Sequence, residues 1–293
     1  MDPLLAQAVQ DEDPSRPVVP YSGDYGFLHG GKDTHHYWGW YAGKMQDLER
    51  IFKMFPKTAR FVSEYGAQAF PDLESCREFV RGDRPDINWD ELESRFMLQR
   101  EIRARYVDPA QSRSLAEYVA ATQEYQATLL KYYNEQLRRR KYRPCGGALA
   151  FMLTDGSPGI TWSLVDYWRR PKRAYEQMRR DFSPVHIMAD WPAGPYAPGQ
   201  TYRTRVTFVN DRPHPVEARW TWHIRQGDQV LAADTQPVQL PADSVVEGPS
   251  IRWTLPPGLA AEPLVLALRL EARGDVLSTN EYRIRPKPAG GAS

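Results

Sequence analysis

Arg60-Phe61-Val62-Ser63, running into Glu64-Tyr65-Gly66, is the stretch on which the fold turns. It is a compact β-type run rich in strand-forming side chains, and it stops at the glycine. Its surroundings are helical. Upstream, Leu48, Ile51, Phe52 and Phe55 recur at three- and four-residue spacing, which predicts a helix with one apolar stripe. Downstream, Ser114 followed by Glu117 predicts a capping box. Tyr118, Tyr125, Leu129 and Tyr132 then carry a long helix to Arg138-Arg139-Arg140-Lys141. That basic run suits the negative end of the helix dipole and reads as a solvated terminus with no further role. Other runs have strand character: Pro17-Val18-Val19-Pro20-Tyr21, His35-His36-Tyr37-Trp38-Gly39-Trp40 and, after the Gly146-Gly147 break, Ala148-Leu149-Ala150-Phe151-Met152-Leu153, which reads as a buried strand. Strand-then-helix units imply parallel strands.

From about Pro184 the period changes to two. Tyr202, Thr204, Val206 and Phe208 share one side of a run; so do Trp220, Trp222 and Ile224, and again Leu264, Leu266, Leu268 and Leu270. This alternation is that of half-buried antiparallel strands. Gly227-Asp228 and Gly274-Asp275 sit between such runs and read as hairpin turns. The prediction is a β-sandwich over 184–288, with 289–293 as a frayed, disordered tail.

Composition excludes several classes. The 38 Lys+Arg and 37 Asp+Glu leave a net charge of +1, so no broad basic surface for nucleic acid is indicated. No apolar stretch is long enough for a membrane helix, and no membrane partner is expected. The opening Met1-Asp2-Pro3-Leu4-Leu5 lacks the basic and apolar regions of a signal peptide, which leaves a cytoplasmic location as the default. Cys76 and Cys145 are too few for a disulfide framework or a multi-cysteine zinc site and read as free buried thiols. His35 and His36 are adjacent on a strand and face opposite ways, so they do not form a metal pair. No cofactor and no metal is called for. The distinctive figure is 12% aromatic residues, with 9 Trp and 16 Tyr. Aromatics build cores and also make platforms for the flat apolar faces of sugar rings.

Setting the sandwich aside leaves residues 1–183. An eight-stranded β/α barrel needs about 250 residues. The first part is therefore either a small open α/β sheet or the second half of a barrel. Four stretches, in order, bear on the choice: Asp13-Pro14-Ser15-Arg16-Pro17-Val18-Val19-Pro20-Tyr21-Ser22; Asp33-Thr34-His35-His36-Tyr37-Trp38-Gly39-Trp40; Arg60 through Pro71 around Ser63-Glu64-Tyr65-Gly66; and Leu153-Thr154-Asp155-Gly156-Ser157-Pro158 on to Thr161-Trp162-Ser163-Leu164-Val165-Asp166-Tyr167, with Pro171-Lys172 and Tyr175 beyond. Together they resemble the C-terminal half of glycoside hydrolase family 2, the β-galactosidases, β-glucuronidases and β-mannosidases, most in the manner of the β-mannosidase branch. The resemblance spans roughly residues 10–185. It implies an α/β plus all-β chain: strands five to eight of a TIM (β/α)8 barrel in 1–183, then an immunoglobulin-like sandwich.

The resemblance also implies a site. Barrel enzymes act at the C-terminal ends of their strands. Glu64 stands at such an end and matches the family's nucleophile, the carboxylate on which a retaining, exo-acting β-glycosidase forms its covalent intermediate. Asp33, His35 and Tyr37 match the family's D-x-H-x-Y lining, and a tyrosine there can hydrogen-bond the nucleophile. His36 points the other way and reads as structural. Asp155, after the last strand, is either a sugar-hydroxyl partner or a turn residue; Trp162 either stacks on sugar or packs under its loop. Phe151 stands where the family often carries tryptophan. Asp24 is a further substrate-contact candidate.

The family's acid/base glutamate lies in an Asn-Glu pair after strand four. Here Asn134-Glu135 falls in the long helix and Asn280-Glu281 in the sandwich, and Glu12 looks like the end of a connecting helix. The acid/base and the first half-barrel are thus expected to be missing, with a separate chain carrying that half as the expected partner besides the carbohydrate substrate. A signal peptide would sit on that part. The rival readings are a non-catalytic carbohydrate-binding or structural remnant, and a complete small hydrolase that pairs Glu64 with another acid of this chain, Asp33 and Asp155 being the first candidates. Which sugar is cleaved stays open.

Overall fold

The computed structural model describes residues 3–16, 18, 22–23, 33–82, 87–257, 259 and 262–287. All but Val18 of the expected first strand, the Asp24 contact and the C-terminal tail lie outside them. The chain divides into two compact units, Met1–Met178 and Arg179–Ser293.

The first unit runs α1 (Pro3–Glu12), β1 (Thr34–His36), α2 (Asp47–Met54), β2 (Phe61–Tyr65), α3 (Leu73–Arg77), α4 (Trp89–Phe96), α5 (Arg100–Ala104), α6 (Leu115–Arg138) and β3 (Gly147–Ala148); α7 (Arg173–Asp181) crosses the division. The strands form a parallel sheet in the order β1-β2-β3, with His35 opposite Glu64 and Val62 opposite Ala148. The parallel pairing expected from the strand-helix alternation is present. The strand lengths are not as read. β1 stops at His36 because the chain turns at Gly39, whose φ is +85° and whose N–H bonds Ala42 O at 2.8 Å. A Cβ there would lie 2.9 Å from Met45 N, so glycine is required. The expected buried strand Ala148–Leu153 is irregular after Ala148. Leu149 N–H and Phe151 N–H still bond Val62 O and Tyr65 O, at 2.8 and 2.9 Å, but Leu149 and Leu153 are 55% and 63% exposed.

Helix termini follow local chemistry. Ser114 Oγ accepts from Glu117 N–H at 3.2 Å. Glu117 turns its carboxylate to Arg113 N–H at 2.9 Å instead of to Ser114, so the expected capping box is half formed. The basic run is not a solvated end. Arg138 is buried, and Arg140 lies 5.1 Å over the Phe52 ring and bonds Gln136 O at 2.7 Å. Long aliphatic arms let arginine cover apolar surface in this way.

In the second unit, β4 (Val185–Ala189), β6 (Thr201–Asn210) and β9 (Ser244–Thr254) make one antiparallel sheet. The other has the order β5-β11-β10-β7-β8, from β5 (Pro195–Tyr196), β7 (Val216–Gln226), β8 (Gln229–Leu240), β10 (Leu264–Ala272) and β11 (Asp275–Pro286). Both sheets feed one core. Tyr202, Val206 and Phe208 come from the first, and Trp220, Ile224 and the alternating Leu264, Leu266, Leu268 and Leu270 from the second. The β7–β8 hairpin turns at Gly227-Asp228 as read. The β10–β11 turn is one residue earlier than expected, at Arg273-Gly274, with φ of +55° and +89°. Two consecutive positive φ values are those of the type I′ turn, which matches strand twist. Cys76 and Cys145 are free and buried. No helix among the described residues is long and apolar enough to cross a membrane.

Burial has opposite outcomes for two basic side chains, Arg103 and His36. Arg103 is 1% exposed, and its three guanidinium nitrogens have no hydrogen-bond partner among the described residues. Burial lowers its pKa only to about 10, so it stays charged at neutral pH. Its compensation is the Trp40 ring at 4.8 Å, worth about 2 kcal/mol against a desolvation cost of several. Arg103→Met should therefore leave unfolding free energy unchanged or raise it; a loss above about 2 kcal/mol in urea titrations would contradict that balance.

His36 is the opposite case. It donates from Nε2 to Thr58 O at 3.1 Å and packs edge-on against Phe52, and burial pushes its pKa from 6.5 to about 4. The unfolded chain then binds a proton that the fold refuses. The stability linked to His36 is complete above pH 6.5, declines on acidification and is gone below about pH 4. His36→Gln keeps the donor and cannot titrate. It should flatten the acid limb of the stability curve by up to about 3 kcal/mol. Parallel curves for both proteins would refute the assignment.

Candidate active site

β2 ends with Glu64 half-buried beside side chains of β1 and its following turn. Alternation along β1 puts His35 and Tyr37 on one face and His36 on the other. Glu64 Oε2 accepts from Tyr37 OH at 2.9 Å and lies 3.2 Å from His35 Nδ1. To serve a carboxylate, Nδ1 must carry its proton. The other ring nitrogen, Nε2, lies 3.1 Å from Ser22 Oγ. One carboxylate oxygen is thus held by two donors, and Oε1 has no partner among the described residues.

Asp33 behaves differently. It is buried, and it accepts from Ser22 Oγ at 2.6 Å, from Ser63 Oγ and from Gly23 N–H at 3.1 Å. Burial pulls its pKa up, but these hydrogen bonds to the charged form outweigh it and hold the carboxyl below its ordinary range. A carboxylate so satisfied is a poor proton donor. Asp33 braces the β1–β2 strand ends and does not fit the acid role that the small-hydrolase reading needs.

Asp155 is tied into its loop. It is buried, with Oδ1 bonded by Thr161 Oγ1 and Oδ2 by Ser163 Oγ at 2.8 Å, so both oxygens are engaged inside the 154–163 segment. Each oxygen keeps a second acceptor site, so the loop bonds and the expected sugar contact do not exclude each other. Trp162 likewise packs: its ring meets Trp40 at 6.2 Å, Phe151 at 5.9 Å and Tyr41 at 6.5 Å.

Sequence reasoning passed over Tyr41 and the glutamines that pose it. Tyr41 is exposed and lies edge-on to Tyr37 at 5.1 Å. Gln99 accepts from Trp40 Nε1 at 3.1 Å and takes its own backbone N–H to Gln68 Oε1 at 3.0 Å. Gln68 in turn donates to Met97 O at 2.7 Å. The only sequence signal was an aromatic run continuing past the strand. Asn134 is buried on α6 and takes the Tyr65 hydroxyl at 2.5 Å; Asn280 lies on β11. Neither Asn-Glu pair follows a strand of the parallel sheet.

The site thus stands on a parallel sheet with a hydrogen-bonded carboxylate near one strand end, and a sandwich follows in the chain. Comparisons with known proteins give the class. A family profile described as a mannosidase Ig/CBM-like domain matches residues 203–287. β-Mannosidase B of Aspergillus niger is 28% identical over 263 residues, covering 83% of this chain and 30% of that protein. β-Mannosidase B of Thermothelomyces thermophilus is 27% identical, covering 98% and 33%. Among solved structures, the β-D-mannosidase of Dictyoglomus thermophilum matches 97% of this chain and 34% of its own with a TM-score of 0.74 at 22% identity. An exo-chitosanase of Amycolatopsis orientalis reaches 0.60 over 78% of this chain at 16% identity. The chain spans about a third of the length of the curated relatives it matches. The class is a glycoside hydrolase-like protein with an immunoglobulin-like domain. Within it, the resemblance to the C-terminal part of family 2 glycoside hydrolases of β-mannosidase type holds.

Gly66 lets the exit of β2 pass close to the next segment. A Cβ there would meet Phe151 O, a backbone atom, at 2.5 Å. Gly66→Ala should cost about 1–3 kcal/mol in urea unfolding, because backbone yields less readily than a side chain. An unchanged midpoint and slope would show that the two segments separate freely.

Proposed function

We propose that this chain supplies the nucleophile-bearing part of a retaining, exo-acting β-glycosidase of β-mannosidase type, with β1–β3 belonging to the second half of a (β/α)8 barrel. The observation that carries the reading is the placement of Glu64. It stands one residue before the end of the central parallel strand, with Oε2 held by Tyr37 and His35 and Oε1 without a partner among the described residues. In the reaction, Glu64 Oε1 attacks the anomeric carbon, and the bond to the leaving oxygen breaks as a new carbon–oxygen bond forms. Tyr37 and His35 keep the carboxylate aimed until it is consumed, and Ser22, Ser63 and Asp33 hold His35 and the strand ends around it. Water, activated by the base, then releases the sugar from Glu64.

The proton donor belongs to a part with no counterpart among these residues, on the segment or separate chain that carries the first half-barrel. β3 gives that partner a place to pair. Its one neighbour is β2 among the described residues, and Leu149 and Leu153 stand exposed beside it. General acid catalysis contributes about 10² to 10⁴-fold, so the 293-residue chain by itself should not hydrolyse a disaccharide.

A 2-deoxy-2-fluoro-β-mannosyl fluoride tests the nucleophile without the acid, because fluoride leaves unprotonated. Peptide mapping should find the fluorosugar on Glu64, in the chain alone or supplied with the missing half. Glu64→Gln should take none. Label on another residue, or disaccharide turnover by the chain alone at ordinary enzymatic rates, would defeat the reading.

A further inference from the structure

The segment after β2 and the segment around Trp162 meet at an antiparallel bridge between Ala69 and Thr161, where Ala69 N–H bonds Thr161 O at 3.0 Å. Two buried side chains tie them further. Gln126, fully buried on α6, donates from Nε2 to Ala67 O at 2.8 Å, Trp162 O at 3.0 Å and Ser163 O at 3.3 Å. All three partners are carbonyls, so the amide nitrogen must face them. Lys172, also buried, donates from Nζ to Ala69 O at 3.0 Å and Thr161 O at 3.1 Å. One of these residues comes from the long helix and the other from the approach to α7. Each bridges the same two segments, and neither touches Glu64.

We propose that Gln126 and Lys172 are positioning residues, a two-point clamp that sets where the Trp162 segment lies relative to the strand end carrying Glu64. The inference rests on the reading of Glu64 as nucleophile for its functional meaning and on carbonyl geometry for its structural one. A donor that reaches carbonyls on both segments cannot be satisfied if either shifts. Buried carbonyls that lose their donor gain no substitute, so the segments move apart or admit water. A group misplaced by about 1 Å at a reacting centre costs about 10²-fold in rate.

The test uses the full chain with Gln126→Met, Gln126→Glu and Lys172→Gln. Gln126→Met fills the same space without a donor, Gln126→Glu sets an acceptor against three carbonyls, and Lys172→Gln keeps a shorter donor. Hydrogen exchange is followed in peptides covering 66–70 and 160–164, with 61–65 as the internal reference. The rate of fluorosugar labelling at Glu64 is followed at saturating reagent, well below the unfolding temperature. In both Gln126 variants the two segments should lose protection together, by about tenfold for each net hydrogen bond lost. The saturating labelling rate should fall about 10²-fold, with Lys172→Gln intermediate. Retained protection overturns the clamp. So does a lowered Tm with an unchanged labelling rate, the mark of packing alone. If the unsubstituted chain takes no label on Glu64, the nucleophile reading fails and exchange alone decides: joint loosening upholds the clamp, unchanged protection ends it. If the Gln126 variants do not fold, Lys172→Gln is judged by the same two measurements.

Discussion

The backbone from Ala67 to Phe70 leaves β2 with no strand to follow, and its polar groups must still be paired. One turn of α6 does most of this. Thr122 Oγ1 accepts from Phe70 N–H at 3.1 Å, Gln123 donates to Phe70 O at 3.2 Å and Gln126 donates to Ala67 O at 2.8 Å. The helix therefore reads main chain with side chains, which explains buried Thr122 and Gln126 on a helix otherwise packed through Tyr118, Leu129 and Tyr132. Because β2 exits against this turn, the strand end carrying Glu64 inherits its position from α6. The Trp162 segment inherits its own from the same glutamine.

The electrostatics divide two carboxylates by environment. Asp33 is surrounded by hydroxyls and an amide that favour its charged form despite burial. Glu64 has a tyrosine and a histidine on one oxygen only. The first is held in its charged form by two hydroxyls and the Gly23 amide on Oδ2; the second has Oε1 without a partner among the described residues. This difference in hydrogen bonding, more than either residue's identity, separates a structural acid from a candidate nucleophile.

Much of this was legible in the residues. The alternation of His35 and Tyr37 put them on one face, and register now sets His35 opposite Glu64. The period-two leucines of β10 are all buried. What escaped were features decided by partners that no local sequence pattern names. Asp155 read as an open choice because nothing local says that Thr161 and Ser163 will take both its oxygens. The Arg138–Lys141 run looked solvated because Phe52, the ring under Arg140, lies far away in sequence. Gln126 carried no pattern at all: a polar residue on a helix is usually facing water, and only the carbonyls of Ala67, Trp162 and Ser163 make it structural. Ala148–Leu153 read as buried from its apolar content, yet no strand among the described residues covers the far side of β3.

Parallel strands occur almost only where both faces are covered, and an edge with exposed apolar side chains invites pairing. Here His36 of β1 packs edge-on against Phe52 of α2 and Tyr65 of β2 stacks on Tyr133 of α6, while Leu149 and Leu153 remain exposed. A surface patch of this kind is tolerated by a chain that is normally covered there and penalised in one that is not. The same edge lies beside Phe151, which approaches Gly66 at the exit of β2. Covering the edge and ordering the Glu64 strand end are thus mechanically adjacent events. On the proposed reading, the partner that brings the acid would also hold the Phe151 segment against Gly66 and, through it, the nucleophile's own strand.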